Sequence, residues 1–286
     1  MKKKLHIAVQ KSGRLHDESL KLLNDCGISI DNGKDQLKAI ARNFPMEIFY
    51  LRNGDIPQYL RDGVVDIAII GENLLIEKGN DISIKEKLGF SKCRVSIAIP
   101  KEDTYKGVES LTGKKIATSY PNTVKGFLAE KGIDAELHII NGSVEIAPNI
   151  GLSDAVCDIV SSGSTLFKNN LKEVEVLFES EAVLAASSTL DAEKNDILKK
   201  LQFRIQSVLK GRQSKYILMN VPNDSIDRIS SILPVLKSPT VLPLAEPGWS
   251  SLHSVINEGK FWEVIDELKA AGAQDILVCP VEKMVL

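Results

Sequence analysis

The stretch from Glu145 to Leu166, EIAPNIGLSDAVCDIVSSGSTL, constrains the fold of this chain more than any other. Its pattern predicts a helix through about Ser153, a short buried strand at 156–160, and a turn at 161–165 that begins another helix. The turn contains four hydroxyl residues and one glycine. Core packing does not explain that composition, so the turn is a candidate binding loop.

Such a loop suits a phosphate group. Small residues let the backbone approach a ligand closely, and N–H groups that converge at a helix start attract an anion, which hydroxyl groups also hydrogen-bond. Asp154 and Asp158 come just before the loop. Carboxylates beside a phosphate repel it unless they bind sugar hydroxyls or a divalent cation, so the pair indicates a phosphorylated sugar together with Mg²⁺. The alternative is a solvated turn with the two aspartates as caps.

The composition indicates a globular protein with more than one core, because 43% of the 286 residues are hydrophobic and 26% are charged. A formal net charge of −2 gives no reason to expect a nucleic acid or an anionic membrane as partner. The four cysteines form no CxxC pair, which favours reduced thiols. The apolar run at 5–9 is too short for a signal peptide or a membrane span, so we expect a cytoplasmic protein.

Two segments of the chain share one pattern. In RDGVVDIAIIGENL, Asp62 and Asp66 are followed by Gly71 at intervals of four and five residues. SDAVCDIVSSGSTL, which begins at residue 153, repeats those intervals between two aspartates and a glycine. The strand and turn at 7–14 likewise resemble 116–122, in the same order. The sequence therefore predicts two α/β lobes of similar plan.

The strand and helix patterns assign residues 1–95 and 180–211 to the first lobe and residues 96–179 to the second. The strand at 180–188 and the long amphipathic helix at 192–210 have no partners of their own, so we expect them to return to the first lobe. Two chain crossings between lobes make a hinge, and a hinge makes a cleft.

The pattern changes after residue 211. Residues 212–286 read as strand, helix, two strands, helix and strand, which is typical of a small ferredoxin-like domain. Trp249 and Trp262 are interpreted as packing residues of this domain. It lacks an obvious catalytic cluster, which favours a role in ligand sensing or assembly.

Several motifs together resemble a known family: AVQKSGRL, RNGDIP, GVVDIAIIGENL, KKIATSYPN, NGSVEIAP, LSDAVCDIVSSGSTL and SPTVLPLA. In this order, over nearly the whole chain, they resemble the long form of ATP phosphoribosyltransferase, the first enzyme of histidine biosynthesis. The resemblance implies transfer of a phosphoribosyl group from phosphoribosyl pyrophosphate (PRPP) to N1 of ATP, with release of pyrophosphate. It also implies a fold like type II periplasmic binding proteins, a Mg²⁺ requirement, a homo-oligomer (dimer or hexamer) and feedback inhibition by histidine at the C-terminal domain. No regulatory partner subunit is expected.

The expected chemistry agrees with these residues, because loss of pyrophosphate builds positive charge on the ribose and negative charge on the leaving group. The resemblance implies these PRPP-binding residues: Glu145, Asp154, Asp158, Ser161, Ser162, Gly163, Ser164 and Thr165. Asp154 and Asp158 are expected to be catalytic and to bind the metal or the ribose hydroxyls. For Asp154 the alternative is that it ends the preceding helix.

The residues assigned to ATP and the pyrophosphate are Lys11, Gly13, Arg14, Arg52, Glu72 and Tyr120. Lys11 and Arg14 are also expected to be catalytic. A solvated surface role is the alternative for each cation, since most Lys and Arg side chains are solvated. Glu72 is a candidate acceptor for the adenine amino group, and Tyr120 could stack on the base or contact phosphate. A structural role is the alternative for both.

The residues expected to contact the inhibitor histidine are Asn220, Leu236, Ser238 and Thr240. An acid would pair with the amino group of histidine better than the Asn220 amide does. A different class of function, a non-enzymatic small-molecule sensor, would also suit two lobes around a cleft. An acid pair beside a phosphate loop has no purpose in such a sensor, which favours the enzyme.

Overall fold

The structure is a computed structural model that describes residues 3–31, 36–79, 81–233 and 238–285. The chain divides into two compact units, residues 1–21 with 28–198 and residues 22–27 with 199–286. Within the described ranges, no helix is both long and apolar enough to cross a membrane.

The first unit is an α/β structure. Its strands are β1 (Leu5–Gln10), β2 (Lys38–Ile40), β3 (Met46–Leu51), β4 (Ile67–Gly71), β5 (Ser83–Lys87), β6 (Cys93–Pro100), β7 (Lys115–Thr118), β8 (Glu136–Ile139), β9 (Ala155–Val160), β10 (Leu171–Ser180) and β11 (Ala182–Ala186). Its helices are the first part of α1 (Arg14–Asp25), α2 (Ile56–Arg61), α3 (Glu72–Lys78), α4 (Pro121–Lys131), α5 (Ser164–Lys168) and the first part of α6 (Ala192–Arg212). The strands form two sheets, each the centre of one lobe.

The sheet of the first lobe has the strand order β2-β3-β1-β4-β11-β5. β1 is parallel to β3 and β4, whereas β11 is antiparallel to β4. The residues of β4 from Ile67 to Ile70 are fully buried, as expected for a parallel strand that is covered on both faces. β11 confirms the prediction that the strand after residue 180 returns to the first lobe.

The sheet of the second lobe has the strand order β10-β6-β9-β7-β8. β7 is parallel to β8 and β9, and β6 is antiparallel to both β9 and β10. Strand for strand, β8-β7-β9-β6-β10 repeats β3-β1-β4-β11-β5 of the first lobe in order and direction. The predicted pair of α/β lobes with similar plan is therefore confirmed.

The register of this repeat differs from the one predicted. Asp66 and Asp154 are equivalent, because each immediately precedes the strand that pairs in parallel with the first parallel strand of its lobe. Asp66 accepts a hydrogen bond from the His6 backbone N–H at 2.8 Å, and Asp154 accepts one from the Lys115 N–H, also at 2.8 Å. The match of Asp62 with Asp154 was wrong, since equal sequence intervals do not fix strand register.

The helix predicted through Ser153 was also wrong. The chain makes two short 3₁₀ turns there, Val144–Ile146 and Pro148–Ile150. Pro148 has no N–H to donate, and Gly151 has a left-handed φ of +71°, so a continuous α-helix is interrupted within a few residues.

The second unit has one antiparallel sheet. After the end of α6 its elements are β12 (Ser214–Pro222), α7 (Ile226–Ile232), β13 (Thr240–Pro243), β14 (Trp249–Asn257), α8 (Glu258–Ala270) and β15 (Gln274–Pro280). The strand order β13-β14-β12-β15 is that of a ferredoxin-like fold, which confirms the prediction. The core includes Ile217 and Leu252 from the sheet and Leu268 from α8.

Trp262 is 78% exposed on α8, so its interpretation as a core residue was wrong, and the adjacent Phe261 packs on the core instead. The predicted domain boundaries at 95, 179 and 211 remain predictions. The second compact unit starts at Lys199, inside α6, and includes residues 22–27.

Candidate active site

One edge of the first-lobe sheet collects polar residues. The strands β1, β3 and β4 are parallel, so their carboxyl ends lie at the same edge. Lys11, Gly13 and Arg14 follow β1, Arg52 follows β3, and Glu72 follows β4. The chain runs from β1 to β3 on one side of β1 and then crosses to β4 on the other side. Open α/β sheets bind ligands at the carboxyl ends of the strands beside such a crossing.

The loop from Ser161 to Thr165 lies at the carboxyl end of β9 in the second lobe. Gly163 has a left-handed φ of +74° and immediately precedes α5. The hydroxyl oxygens of Ser162 and Ser164 are 3.0 Å apart. This loop lines a cavity of about 280 Å³ together with Glu145 and Asp158. The structure thus brings together all the predicted PRPP-binding residues except Asp154.

Asp158 lies inside this cavity on β9. Burial raises the pKa of its carboxyl group, and the negative charge of Glu145 raises that pKa further, while a hydrogen bond from the Ile159 N–H at 2.8 Å opposes the shift. Two carboxyl groups close together in a poorly solvated cavity favour a ligand that donates hydroxyl protons or carries positive charge.

Asp154 is not part of this cavity. It lies before β9, at the end of the strand away from the serine-rich loop, about 13 Å from Asp158 at the usual rise per strand residue. Its carboxylate accepts from the Lys115 N–H and is 3.7 Å from Lys114 Nζ. The predicted metal or ribose site shared by Asp154 and Asp158 is therefore wrong, because two residues at opposite ends of one strand cannot bind the same small group.

Arg14 connects the first lobe to the loop of the second. Its Nη2 donates to the Ser161 hydroxyl at 3.2 Å and to the Lys92 carbonyl at 3.4 Å. A guanidinium group at the border of the loop suits a phosphate of the ligand. Lys11 and Arg52 are exposed at the same sheet edge, and their roles stay predictions.

Glu72 lines a second cavity of about 310 Å³ with Lys92, Arg94 and Ser161. Its carboxylate is 3.3 Å from Lys87 Nζ. Ser161 lines both cavities, so they adjoin and form one cleft.

Tyr120 does not face this cleft as an aromatic platform. Its ring is 7% exposed and packs in the core of the second lobe, and its hydroxyl accepts a hydrogen bond from Asn73 Nδ2 at 2.8 Å. Burial raises the pKa of the phenol. The prediction that Tyr120 stacks on the base is wrong for this structure, and the structural alternative fits the burial.

Arg94 was missed by sequence reasoning. Its Nε and Nη2 donate to the two carboxylate oxygens of Glu173, each at 2.5 Å, and Nη1 is 3.4 Å from the Ser161 carbonyl. The guanidinium lowers the pKa of Glu173. Arg94 lies at the start of β6, where the chain crosses from the first lobe to the second. A positive charge at this crossing was the only signal in the sequence that pointed to Arg94.

A family model described as ATP phosphoribosyltransferase matches residues 52–207, more than half of the chain. The chain belongs to the ATP phosphoribosyltransferase family. A second model, described as the C-terminal domain of the same family, matches residues 211–283. The long form of ATP phosphoribosyltransferase, to which the motifs pointed, is therefore confirmed.

Individual ATP phosphoribosyltransferases agree with this assignment. The chain is 56% identical over 281 residues to the one from Cytophaga hutchinsonii, with 98% of each chain covered. It is 51% identical over 282 residues to the one from Parabacteroides distasonis, covering 99% of this chain and 100% of the relative. A solved ATP phosphoribosyl transferase (HisG:HisZ) complex from Thermotoga maritima matches with a TM-score of 0.60 at 29% identity, over 71% of this chain and 98% of that one.

The residues that the ATP phosphoribosyltransferase resemblance assigns to histidine lie in the second unit. Asn220 Nδ2 donates to Asp275 Oδ2 at 3.0 Å. Position 220 itself has an amide and no acid, but the neighbouring strand β15 supplies the carboxylate of Asp275 beside it. Ser238 and Thr240 are exposed, and Leu236 lies outside the described residues. Asp275 was not predicted, because only the register of β12 with β15 brings it to Asn220.

The metal expected for an ATP phosphoribosyltransferase has a limited donor set here. Among the described residues, no group of three or more His, Cys, Asp and Glu side chains could hold a metal ion. Asp158 and Glu145 remain near each other. One or two carboxylates fit Mg²⁺, which usually completes its coordination with water and substrate phosphates.

Proposed function

We propose that the cleft transfers the 5-phosphoribosyl group from PRPP to N1 of ATP and releases pyrophosphate, the first step of histidine biosynthesis. The observation that carries this proposal is the placement of Asp158 and Glu145 beside the loop of Ser161–Thr165, in one cavity. Family membership supports the same reaction, and it does not favour the alternative of a non-enzymatic sensor.

The loop binds the 5′-phosphate. Its hydroxyl groups donate to phosphate oxygens, and Gly163 lets the backbone approach, because the space that a Cβ would fill there stays open for the ligand. Asp158 and Glu145 accept hydrogen bonds from the ribose hydroxyls and stabilise the positive charge that develops on the ring. A strong general base is unnecessary, because adenine N1 already carries a lone pair.

The cations bind the phosphate groups. Arg14 is next to the loop and holds the pyrophosphate, whereas Lys11 and Arg52 contact the phosphates of ATP at the edge of the first-lobe sheet. Glu72 accepts from the adenine amino group. Its contact with Lys87 Nζ at 3.3 Å orients the carboxylate.

Mg²⁺ fits this cavity, because two carboxyl groups close together lower their mutual repulsion by sharing a cation. Asp158 and Glu145 would hold it together with the substrate. When bound, the ion neutralises charge on the pyrophosphate leaving group.

The ferredoxin-like domain senses histidine. Asp275 binds the amino group of histidine and Asn220 its carboxylate or side chain, with Ser238, Thr240 and Leu236 as further contacts. The enzyme acts as a homo-oligomer, a dimer or hexamer, without a regulatory partner subunit. ATP and PRPP as substrates favour a cytoplasmic setting.

The direct test mixes the protein with ATP, PRPP and Mg²⁺ and follows pyrophosphate release together with the absorbance of the adduct. We expect turnover that requires both substrates and Mg²⁺. Asp158→Ala should lower kcat/KM by roughly two orders of magnitude while its circular dichroism spectrum stays unchanged. Pyrophosphate release without ATP would indicate a hydrolase and contradict the proposal.

Histidine sensing has its own test. Asp275→Ala should raise the histidine concentration for half-inhibition by about tenfold or more, with the uninhibited rate unchanged, because a charged partner is lost. Glu258→Ala, an acid of the same unit that pairs with Lys215, is the matched control and should leave inhibition unchanged. Equal inhibition of all three proteins would contradict the assignment of Asp275.

A further inference from the structure

Glu77 on α3 is an acidic side chain that is only 4% exposed. Its carboxylate accepts hydrogen bonds from the backbone N–H of Asn122 at 3.1 Å and of Thr123 at 2.9 Å. Asn122 Nδ2 in turn donates to the Glu77 carbonyl oxygen at 3.0 Å. A carboxylate is buried at low cost only where such donors replace its water, so these bonds make the position of Glu77 specific.

Asn122 and Thr123 belong to the first turn of α4, which is in the other lobe. The residue before this helix, Tyr120, makes no side-chain cap. Glu77 supplies the missing cap from the first lobe, and its negative charge suits the positive end of the α4 dipole. The second-lobe helix thus begins on a group that the first lobe provides.

Asn73 makes a second contact from the same face of α3, one turn before Glu77. Its Nδ2 donates to the Tyr120 hydroxyl at 2.8 Å, and its Oδ1 accepts from the Ser180 hydroxyl at 3.0 Å. Gly71 is required for this arrangement, because a Cβ there would come within 2.3 Å of Asn73 Oδ1. Asn73 and Glu77 together form the α3–α4 contact.

The α3–α4 contact adjoins the cleft. α3 begins at Glu72, which lines one cavity. Thr118 Oγ1 accepts from the Tyr120 N–H at 2.8 Å and donates to the Cys157 carbonyl oxygen at 2.8 Å, so the contact is also linked to the strand that carries Asp158 of the other cavity. At the lobe separation in this structure, Arg14 of the first lobe reaches Ser161 of the second.

We propose that Glu77 and Asn73 are positioning residues, which hold the two lobes at the separation that aligns ATP with PRPP and contact neither substrate. The inference rests on the proposed function, since alignment across the cleft matters only if the cleft binds both substrates. Displacement at the anomeric carbon needs N1 in line with the leaving group, and small misplacements slow such steps strongly.

The experiment compares Glu77→Ala, Glu77→Gln and Asn73→Ala with the parent full-length chain. We expect kcat to fall about 10- to 100-fold in the alanine variants. Binding of ribose 5-phosphate, which lacks the pyrophosphate that Arg14 of the first lobe holds, should change by less than about threefold, because the cavity for the 5′-phosphate and ribose lies within the second lobe. Glu77→Gln should retain intermediate activity, since an amide oxygen still accepts one N–H. Ile76→Ala, on the exposed side of α3, is the matched control and should keep the parent kcat.

Hydrogen exchange supplies a readout of the contact itself. The amides of Asn122 and Thr123 should exchange faster in Glu77→Ala and at the parent rate in Ile76→Ala. Gly71→Ala should lower kcat as Asn73→Ala does, and the double variant should be no worse than Asn73→Ala alone, because the clashing amide is gone.

Faster exchange at Asn122 and Thr123 with kcat unchanged would overturn the inference. So would a fall in kcat that is matched by an equal loss of ribose 5-phosphate affinity, since that indicates general damage to the second lobe. A parent chain that does not turn over would contradict the proposed function and this inference with it, whereas parent turnover with fully active variants contradicts the inference alone.

Discussion

At the residue scale, Asp158 carries an energetic cost that ligand binding relieves. Its pKa is raised above the usual 3.8 by burial and by Glu145, so the folded protein holds this proton more tightly than the unfolded chain does. Stability associated with the protonated carboxyl is present at low pH and is lost as the pH rises through the folded-state value. The free enzyme is therefore less stable at neutral pH than it would be without this charge.

Asp158→Asn should raise the melting temperature at pH 7.5, by roughly 2 °C or more for a domain of this size, and should lower activity by about two orders of magnitude. The gain should be smaller at pH 4 than at pH 7.5, because the raised pKa makes Asp158 in the parent more protonated at the lower pH. Scanning calorimetry at both pH values with initial rates checks this. A variant less stable than the parent at pH 7.5 would contradict the burial argument.

Asp154 should behave differently because its carboxylate bonds to the Lys115 backbone. Asp154→Ala should keep activity within about twofold and lower the free energy of unfolding by about 1 kcal/mol, the typical value of a partly exposed hydrogen bond. The comparison is Asp66→Ala at the equivalent site, which is buried and bonded to Lys194 Nζ at 2.8 Å. Its loss should be larger, about 3–5 kcal/mol. Urea unfolding measures both, and an inactive but folded Asp154→Ala would contradict this assignment.

At the scale of elements, two helices contain a glycine in different surroundings. Gly211 is near the end of α6, and a Cβ there would come to 2.8 Å from backbone atoms of Glu282 and Lys283. Gly126 is in α4, and a Cβ there would meet no atom within 4 Å. Helix propensity favours alanine at both sites by up to about 1 kcal/mol, so only the contact with the C-terminal segment separates them.

Gly126→Ala should raise the free energy of unfolding by up to about 1 kcal/mol, and Gly211→Ala should lower it by about 1–3 kcal/mol because the backbone at 282–283 must shift. Urea unfolding of the two variants beside the parent measures the difference. Stabilisation by both substitutions would show that the C-terminal segment does not pack against Gly211.

Elements with a strong apolar pattern were predicted from the sequence, and weakly patterned ones were not. β4 and β11 are apolar throughout, whereas the edge strands β2 and β5 are short or charged and were missed. Edge strands carry charge because it discourages pairing with other chains, and this removes the periodicity that sequence reasoning needs.

At the scale of the whole molecule, acid should affect the two units unequally. Among the described residues, the carboxyl groups with lowered pKa all lie in the first unit: Glu47, Asp81, Glu173 and Asp191. Each is stabilised chiefly by hydrogen bonds to a cation or a backbone N–H. A carboxyl group with a lowered folded-state pKa stabilises the fold above its ordinary pKa, which is 4.5 for Glu and 3.8 for Asp. This stability is lost as the pH falls below that value.

We expect the first unit to lose hydrogen-exchange protection at a higher pH than the second unit does. Both tryptophans are in the second unit, so tryptophan fluorescence reports that unit alone during the same titration. Adding salt should shift the first transition toward higher pH, because exposed ion pairs are screened. A fluorescence change that precedes the loss of protection in the first unit would contradict the prediction.

The sequence alone determined the two α/β lobes, the ferredoxin-like domain, the hydroxyl-rich loop and the family, because each depends on local periodicity or on motifs along the chain. Only the tertiary structure decided that Asp154 lies at the far end of β9, that Tyr120 is buried, and that Glu77 caps a helix of the other lobe. These facts depend on strand register and on packing between segments distant in sequence. Local pattern carries no information about such contacts, since many registers and lobe separations suit the same periodicity.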